Sequence, residues 1–480
     1  MKYKRTIILL ADGARFDTIE DLISQNRLKN IKRLLIDQGS FLRAVTAFPS
    51  TTGPAHIPYL TGCLPATCNV PGIRWFDKKK YGRYGHGSPL SLLSFGARGR
   101  YRSYVGMETF RINTDMRNDI YTIFELLPKS YSIFNSVNRG VGCRNLTKIM
   151  RIWYWYYGHL TDRWHFVDNA GYEKILKVLK KDFEFLFAVL PGIDEYSHLD
   201  HFKSEYTLKQ YDCLDEFVGQ MIAELAKNNT LDDTVIWIVS DHGLTKTHTH
   251  FCLNTFLEGR GIKTFYYPLI HRRDCIAASM VSGNGMAHLY FKKEEGWSEP
   301  ATAEDIDEMY PGIIDELLLQ EAIDIVAMKD SDGKILVKSR RGVARLSLFG
   351  NQLSYDLLEG DPFGYNLGSV EVRDNERALL EATIDSDYPD ALYQLAHIFL
   401  SPRCGDVVVS ATPGYDLRLK YEHPEHKGTH GSLHREHMVI PVISNVKIDT
   451  DCLRTVDVFP TYLRLMGRNI PDNIDGKPLI

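Results

Sequence analysis

The 480-residue sequence predicts an α/β fold: a mostly parallel central sheet with helices on both faces, plus a smaller inserted α+β cap. Three observations carry this. First, three short apolar runs each end in an acidic residue: TIILLAD at Asp12, FEFLFAVLPGID at Asp194, and TVIWIVSDHG at Asp241, His242 and Gly243. Continuous apolar runs of this length are the pattern of strands covered on both faces, as in a parallel sheet. Second, a helical pattern separates two of them. In SEYTLKQYDCLDEFVGQMIAELAKNN, Tyr211, Leu214, Val218, Met221 and Leu225 recur at three and four residues and mark one apolar face. Strand, helix, strand is the βαβ unit of an open sheet. Third, the texture changes between 259 and 385, where AIDIVAMKDSDGKILVKSRRGVARLSLFG alternates around an Asp-Gly turn, the signature of antiparallel hairpins.

These elements divide the chain into a core of residues 1–258 and 386–480 and a cap of residues 259–385. GDVVVSA (405–411) and MVIPVIS (438–444) read as further buried strands, and TVDVFPTYLRLMG as a closing helix. Residues 80–175 are irregular and rich in Tyr, Arg and Gly. Within them, RIWYWYYGHLTDRWHF (151–166) reads as a buried strand or cap contact, or else as an aromatic pocket wall. Lys78, Lys79 and Lys80 read as a solvated loop.

An apolar fraction of 44% and a charged fraction of 25% belong to a soluble globular protein. A formal charge of −4 gives no field that would attract a nucleic-acid polymer or an anionic membrane. Eight cysteines without a CxxC pair fit free thiols in a reducing compartment. The N-terminal MKYKRTIILLADGAR meets Asp12 too soon for a signal peptide, and no stretch reaches the roughly 18 apolar residues of a membrane span. The expectation is a cytoplasmic protein without a membrane span.

In open parallel sheets, ligands bind beyond the carboxyl ends of the strands. Asp12, Asp194 and Asp241 therefore point to one rim. His198 follows Asp194 by one helical turn, on the same side. His242 adjoins Asp241, and His430 lies between glycines in HKGTHGSLHREHM, just before a strand. Three carboxylates and three imidazoles suit zinc, with manganese or iron as alternatives. Taken singly, an Asp at a strand end also serves as a plain helix cap.

ADGARFD (11–17), TGPAHIPYLTGCLP (52–65), DEYSH (194–198), SDHG (240–243) and GTHG (428–431) together resemble the alkaline phosphatase superfamily. The resemblance is nearest to its nucleotide pyrophosphatase/phosphodiesterase branch and the related phosphonoacetate hydrolases. It implies that Thr52, nine residues before Thr61, is the nucleophile. It further implies one metal held by Asp12, Asp241, His242 and the Thr52 oxygen, and a second held by Asp194, His198 and His430. Two ions about 4 Å apart would serve both ends of an in-line displacement through a covalent phosphothreonine. The substrate implied is a small phosphorylated molecule: a phosphodiester, or alternatively a phosphomonoester or a phosphonate. A catalytically inactive metal-binding protein is the remote alternative, and its expected mark is a missing ligand. Independently of any family, Gly53-Pro54 opens a helix, so Thr52 sits where free N–H groups favour a phosphoryl group. The sequence departs from the branch where an Asn usually holds a phosphate oxygen: Ile73 stands there, flanked by Arg74, with Asn69 displaced by several positions. Arg74 and Asn69 are thus the candidate substrate-binding residues, and Arg74 would favour an extra negative charge.

Overall fold

The computed structural model describes residues 3–84, 100–417 and 425–480. A seven-stranded sheet forms its centre, in the order Cys452–Arg454, Ser40–Val45, Val439–Ser444, Thr234–Val239, Arg5–Ala11, Phe185–Leu190, Ser130–Ile133. The four strands from Thr234–Val239 to Ser130–Ile133 run parallel. Every residue of Phe185–Leu190 and Thr234–Val239 is buried, as an apolar run covered on two faces requires. Val439–Ser444 is antiparallel to both its neighbours, so the sheet is mostly and not wholly parallel.

Helices flank this sheet. The longest, Glu205–Lys227, is capped by Ser204, whose hydroxyl accepts from the Thr207 N–H. It buries Tyr211, Leu214, Val218, Met221 and Leu225, the stripe legible in the sequence. Thus the strand Phe185–Leu190, the short helix Gly192–Leu199 and this long helix lead back to Thr234–Val239 as one crossover.

A second, nine-stranded sheet has the order Thr264–Phe265, Ala277–Ser282, Met286–Phe291, Val407–Ala411, Ile323–Lys329, Ile335–Ser339, Gly342–Phe349, Gln352–Gly360, Val370–Arg373. Beyond its first, parallel pair it is antiparallel throughout. Gly333, at φ +77°, turns the hairpin between Lys329 and Ile335. Val407–Ala411, assigned by sequence to the core segment, pairs instead with Met286–Phe291 and Ile323–Lys329 in this second sheet. A run of five buried residues says that a strand is covered, not which sheet covers it.

Two further expectations change. The aromatic run is a helix, Met150–Thr161, and not a strand. Lys78 is no solvated loop residue: it starts the helix Lys78–Tyr84, and its ammonium meets both oxygens of buried Asp406 at 2.7 and 2.8 Å.

Candidate active site

The parallel strands deliver their acids to one rim. Asp12 follows Arg5–Ala11, Asp241 closely follows Thr234–Val239, and Asp194 lies in the helix that follows Phe185–Leu190. All three are at most 5% exposed. Gly13 makes the approach possible: its φ is +70°, and a Cβ there would lie 2.9 Å from the Asp194 Cα, Cβ and Oδ1. Its N–H donates to Asp241 Oδ1 at 3.3 Å.

The imidazoles converge on the same point. His198 Nε2 is 3.3 Å from Asp194 Oδ2, which the spacing of one helical turn allows. His242 Nε2 lies 3.5 Å from Asp12 Oδ1 and 3.6 Å from Asp241 Oδ2. The His430 ring stacks on the His242 ring with centroids 3.7 Å apart. Each Nδ1 meets a backbone carbonyl: Gly428 for His198 at 2.7 Å, Ser50 for His430 at 2.9 Å, Gly243 for His242 at 3.2 Å. A carbonyl can only accept, so each Nδ1 carries a proton and Nε2 is the nitrogen turned towards a cation, which at His198 would have to displace a second proton that Asp194 favours. Three sets of ligand atoms lie within 4.8 Å of one another: Asp194, His198 and His430; Asp12, Asp194 and His242; Asp12, His56 and Asp241.

This assembly fits divalent cations. Asp194 Oδ1 is buried with no hydrogen-bond partner, and three buried carboxylates share one region. Burial, followed by the charges of Asp241 and Asp194, drives the Asp12 carboxyl well above the usual range. At Asp241, burial works the same way, but His242 and His56 outweigh it and hold the carboxyl low. Burial depresses His198, yet Asp194 prevails and lifts it to about 9, whereas burial and the neighbouring His242 push His430 well below its ordinary value. A bound cation would compensate carboxylates so crowded.

Thr52 stands at this cluster. Its Oγ1 lies 3.0 Å from His242 Nε2 and 3.4 Å from Asp12 Oδ1. Gly53, at φ +91°, turns the chain into the turn Pro54–His56 and then the helix Ile57–Thr61. The neighbouring hydroxyl residues have other tasks. Ser50 donates to the Ser432 carbonyl and orients His430 through its own carbonyl, while Thr51 Oγ1 is buried without a partner.

The seven expected site residues Asp12, Thr52, Asp194, His198, Asp241, His242 and His430 thus come together. Arg74 lines the same cavity, its Nε donating to Ser103 Oγ at 3.3 Å and its Nη1 to the Val281 carbonyl at 3.4 Å. Asn69 does not: its side chain accepts from Ser401 Oγ at 3.1 Å, away from the cavity. The shift of several positions noted in the sequence carries it into a different turn.

The sequence reading missed several residues. His56 bridges Asp241 Oδ2 at 3.2 Å and Asn135 Oδ1 at 3.3 Å. Its place in TGPAH, one turn after Thr52, was the available signal. Asn284 lines the cavity from the tight Gly-Asn-Gly turn of the second sheet and bridges to His430. Arg151, Trp155 and Glu195 also line it. Arg151 and Trp155 are four apart, a helical spacing hidden in a run that is aromatic all round.

A mostly parallel α/β sheet with a rim of paired Asp and His residues beside Thr52 is the arrangement that the resemblance to the alkaline phosphatase superfamily implies, and the family model places the chain in that class. Within it, the model of the type I phosphodiesterase / nucleotide pyrophosphatase family matches residues 6–433, and the chain belongs to that family. No curated protein sequence matches it. Among solved structures it resembles murine ectonucleotide pyrophosphatase/phosphodiesterase 5, at 11% identity, covering 98% of this chain and 96% of that one with a TM-score of 0.56. An inactive form of that murine protein in complex with AMP gives 11% and 0.55 over the same coverage. Phosphonoacetate hydrolase from Sinorhizobium meliloti 1021, in complex with phosphonoacetate, gives 13% and 0.55 over 95% and 94% of the two chains. The likeness at this identity is one of fold. Family and neighbours together point to phosphoester hydrolysis.

Proposed function

We propose that this protein is a two-metal hydrolase of small phosphorylated molecules that works through a phosphothreonine at Thr52. The observation that carries the proposal is Thr52 Oγ1 at 3.0 Å from His242 Nε2 and 3.4 Å from Asp12 Oδ1, at the entry to a helix. Two divalent ions, zinc by the donor set, would be held by Asp12, Asp241, His242 and the Thr52 oxygen, and by Asp194, His198 and His430. Bound there, they would supply Lewis acidity at both ends of the displacement and lower the proton affinity of coordinated oxygen.

The chain's own contribution is positional. Gly53 and Pro54 turn the chain so that Thr52 Oγ1 lies on the rim; the free N–H groups expected beside it are not there, because Pro54 has none and those of Ala55 and His56 donate to the Thr51 and Gly53 carbonyls at 3.1 and 3.0 Å. A bond forms from Thr52 Oγ1 to phosphorus as the bond to the leaving oxygen (or, in a phosphonate, the leaving carbon) breaks; the proton lost from Oγ1 passes to solvent and the leaving group takes one up. Water then cleaves the phosphothreonine and regenerates the hydroxyl. Arg74 in the cavity favours an extra negative charge on the substrate, which supports a monoester or phosphonate as the second reading beside a diester. The two neighbours solved with AMP and with phosphonoacetate accord with a small ligand for this chain as well. We also place the protein in the cytoplasm, a reading supported by eight cysteines that all stand as thiols. No helix among the described residues is long and apolar enough to cross a membrane.

The test compares p-nitrophenyl phosphate with bis-p-nitrophenyl phosphate, with and without chelator, in the wild type and Thr52→Ala. Chelator-sensitive turnover that Thr52→Ala abolishes, at unchanged metal content, is the expected result. An active, metal-replete Thr52→Ala removes the covalent step. Absence of turnover on both esters and on a phosphonate returns the chain to a metal-binding role.

A further inference from the structure

Among the described residues, the cavity contains a buried cation with no carboxylate in ion-pair contact. Arg151 lies in the first turn of the helix Met150–Thr161 and is 7% exposed. Its Nε donates to the Phe134 carbonyl at 3.0 Å and its Nη1 to Thr109 Oγ1 at 3.4 Å. One turn on, the Trp155 ring centroid lies 4.0 Å from the guanidinium carbon. Among the described residues, no carboxylate comes within ion-pairing distance of this guanidinium, and its Nη2 makes no hydrogen bond. Buried Arg15 and Arg454, by contrast, are paired, with Asp17 and Asp390. A buried charge without a partner is costly, and proteins retain one where something else supplies the counter-charge.

The surroundings say what that is. Arg151 lines the same cavity as Thr52, Asp12 and Asp194. Burial lowers its proton affinity to about 10, against the attraction of Asp12 and Glu195 across the cavity, so it remains charged at neutral pH. Cations held by those carboxylates would cancel the attraction and leave Arg151 still less compensated. Two anchors and a stacked indole fix the guanidinium plane before any ligand arrives, so little is spent ordering it on binding. Arg74, on the strand Arg74–Phe76, also lines the cavity.

We propose that Arg151 receives a second anionic group of the substrate. The substrate class is then a phosphoester or phosphonate carrying a carboxylate or a further phosphoryl group a few bonds from the reacting phosphorus. This rests on the hydrolase reading for the reacting end only; the anion site itself is read by binding.

Calorimetric titration of the metal-loaded protein with propylphosphonate, phosphonopropionate and trimethylenediphosphonate tests it. These share one phosphonate and differ in a neutral, carboxylate or phosphonate arm, so the preferred arm identifies the second group. The wild type is expected to bind at least one acidic ligand about tenfold more tightly than propylphosphonate. Arg151→Met should bring that ratio close to one, and Arg151→Lys should retain part of it. A purely structural role would weaken all three ligands together and leave the ratio unchanged. A wild type without the preference overturns the proposal without reference to any variant, as does an Arg151→Met that keeps it. If neither the p-nitrophenyl esters nor phosphonopropionate nor trimethylenediphosphonate is turned over while the ratio behaves as described, the hydrolase reading fails and the anion site stands.

Discussion

Replacing Asp168 by Asn should stabilise this protein at alkaline pH and cease to do so in acid. Asp168 is 3% exposed, and its Oδ1 accepts the Gly192 N–H at 3.1 Å, at the start of the helix that carries Asp194 and His198. Burial raises its carboxyl from 3.8 to about 7, with only the Gly192 N–H opposing. The folded state therefore binds this proton more tightly than the unfolded chain. Stability from this group is complete below about pH 4 and is lost as pH rises through 7. The gap between 3.8 and about 7, at about 1.4 kcal/mol per tenfold change in proton affinity, amounts to about 4 kcal/mol. An Asn keeps the acceptor for Gly192 and does not titrate. Its amide N–H also finds a use, because Gln210 Oε1 is buried without a donor and faces the same space beside Gly192. Urea unfolding of wild type and Asp168→Asn, followed by tryptophan fluorescence at a series of pH values, measures the difference directly. The variant should gain roughly 2–4 kcal/mol at pH 8 and lose that advantage towards pH 4. A difference independent of pH would refute the reasoning.

Three further substitutions probe the scaffold of the site. Gly13→Ala combines a left-handed φ with a Cβ 2.9 Å from Asp194, so it should cost at least about 1–2 kcal/mol in unfolding free energy and lower bound metal, read by thermal denaturation and elemental analysis. His56→Leu removes the group bridging Asp241 and Asn135; metal affinity should fall about 10- to 100-fold in competition with a chelator, while the fold, read by circular dichroism, persists. Lys78→Met leaves Asp406, 5% exposed, without its cation and should destabilise by about 3–5 kcal/mol in chemical denaturation. The added change Asp406→Asn should restore most of that, since it removes the stranded charge and keeps an acceptor for the Phe291 N–H.

The ligand cluster was legible because strand ends and one helical turn are local, periodic facts. An apolar run closing in Asp, or Asp followed four residues later by His, states where its side chains go before any contact is known. Thr52 was singled out by the family resemblance, counted back from Thr61-Gly62, and the structure places it beside His242 and Asp12. What escaped was set by packing between distant segments. Val407–Ala411 reads as a buried strand in either sheet, and only its pairing with Met286–Phe291 decides which. Arg151 and Trp155 sit in a helix with aromatic residues on every side, so periodicity does not reveal which face turns inward. Asn284 lies in a turn whose sequence serves equally well for a plain hairpin. Lys78 was read as solvated because three lysines in a row belong to a surface, yet Asp406, more than 300 residues away, takes the first of them into the interior.

The turn at Gly283–Gly285 wraps the backbone of His430 so closely that a methyl group at Gly283 would lie 2.7 Å from the ring nitrogen, and one at Gly285 would lie 2.6 Å from the carbonyl oxygen. The hairpin Ala277–Ser282 and Met286–Phe291 and the histidine it clasps must therefore travel as one body. One edge of the nine-stranded sheet thus borders the rim that holds Thr52, and any larger residue in its Gly-Asn-Gly turn would have to displace His430.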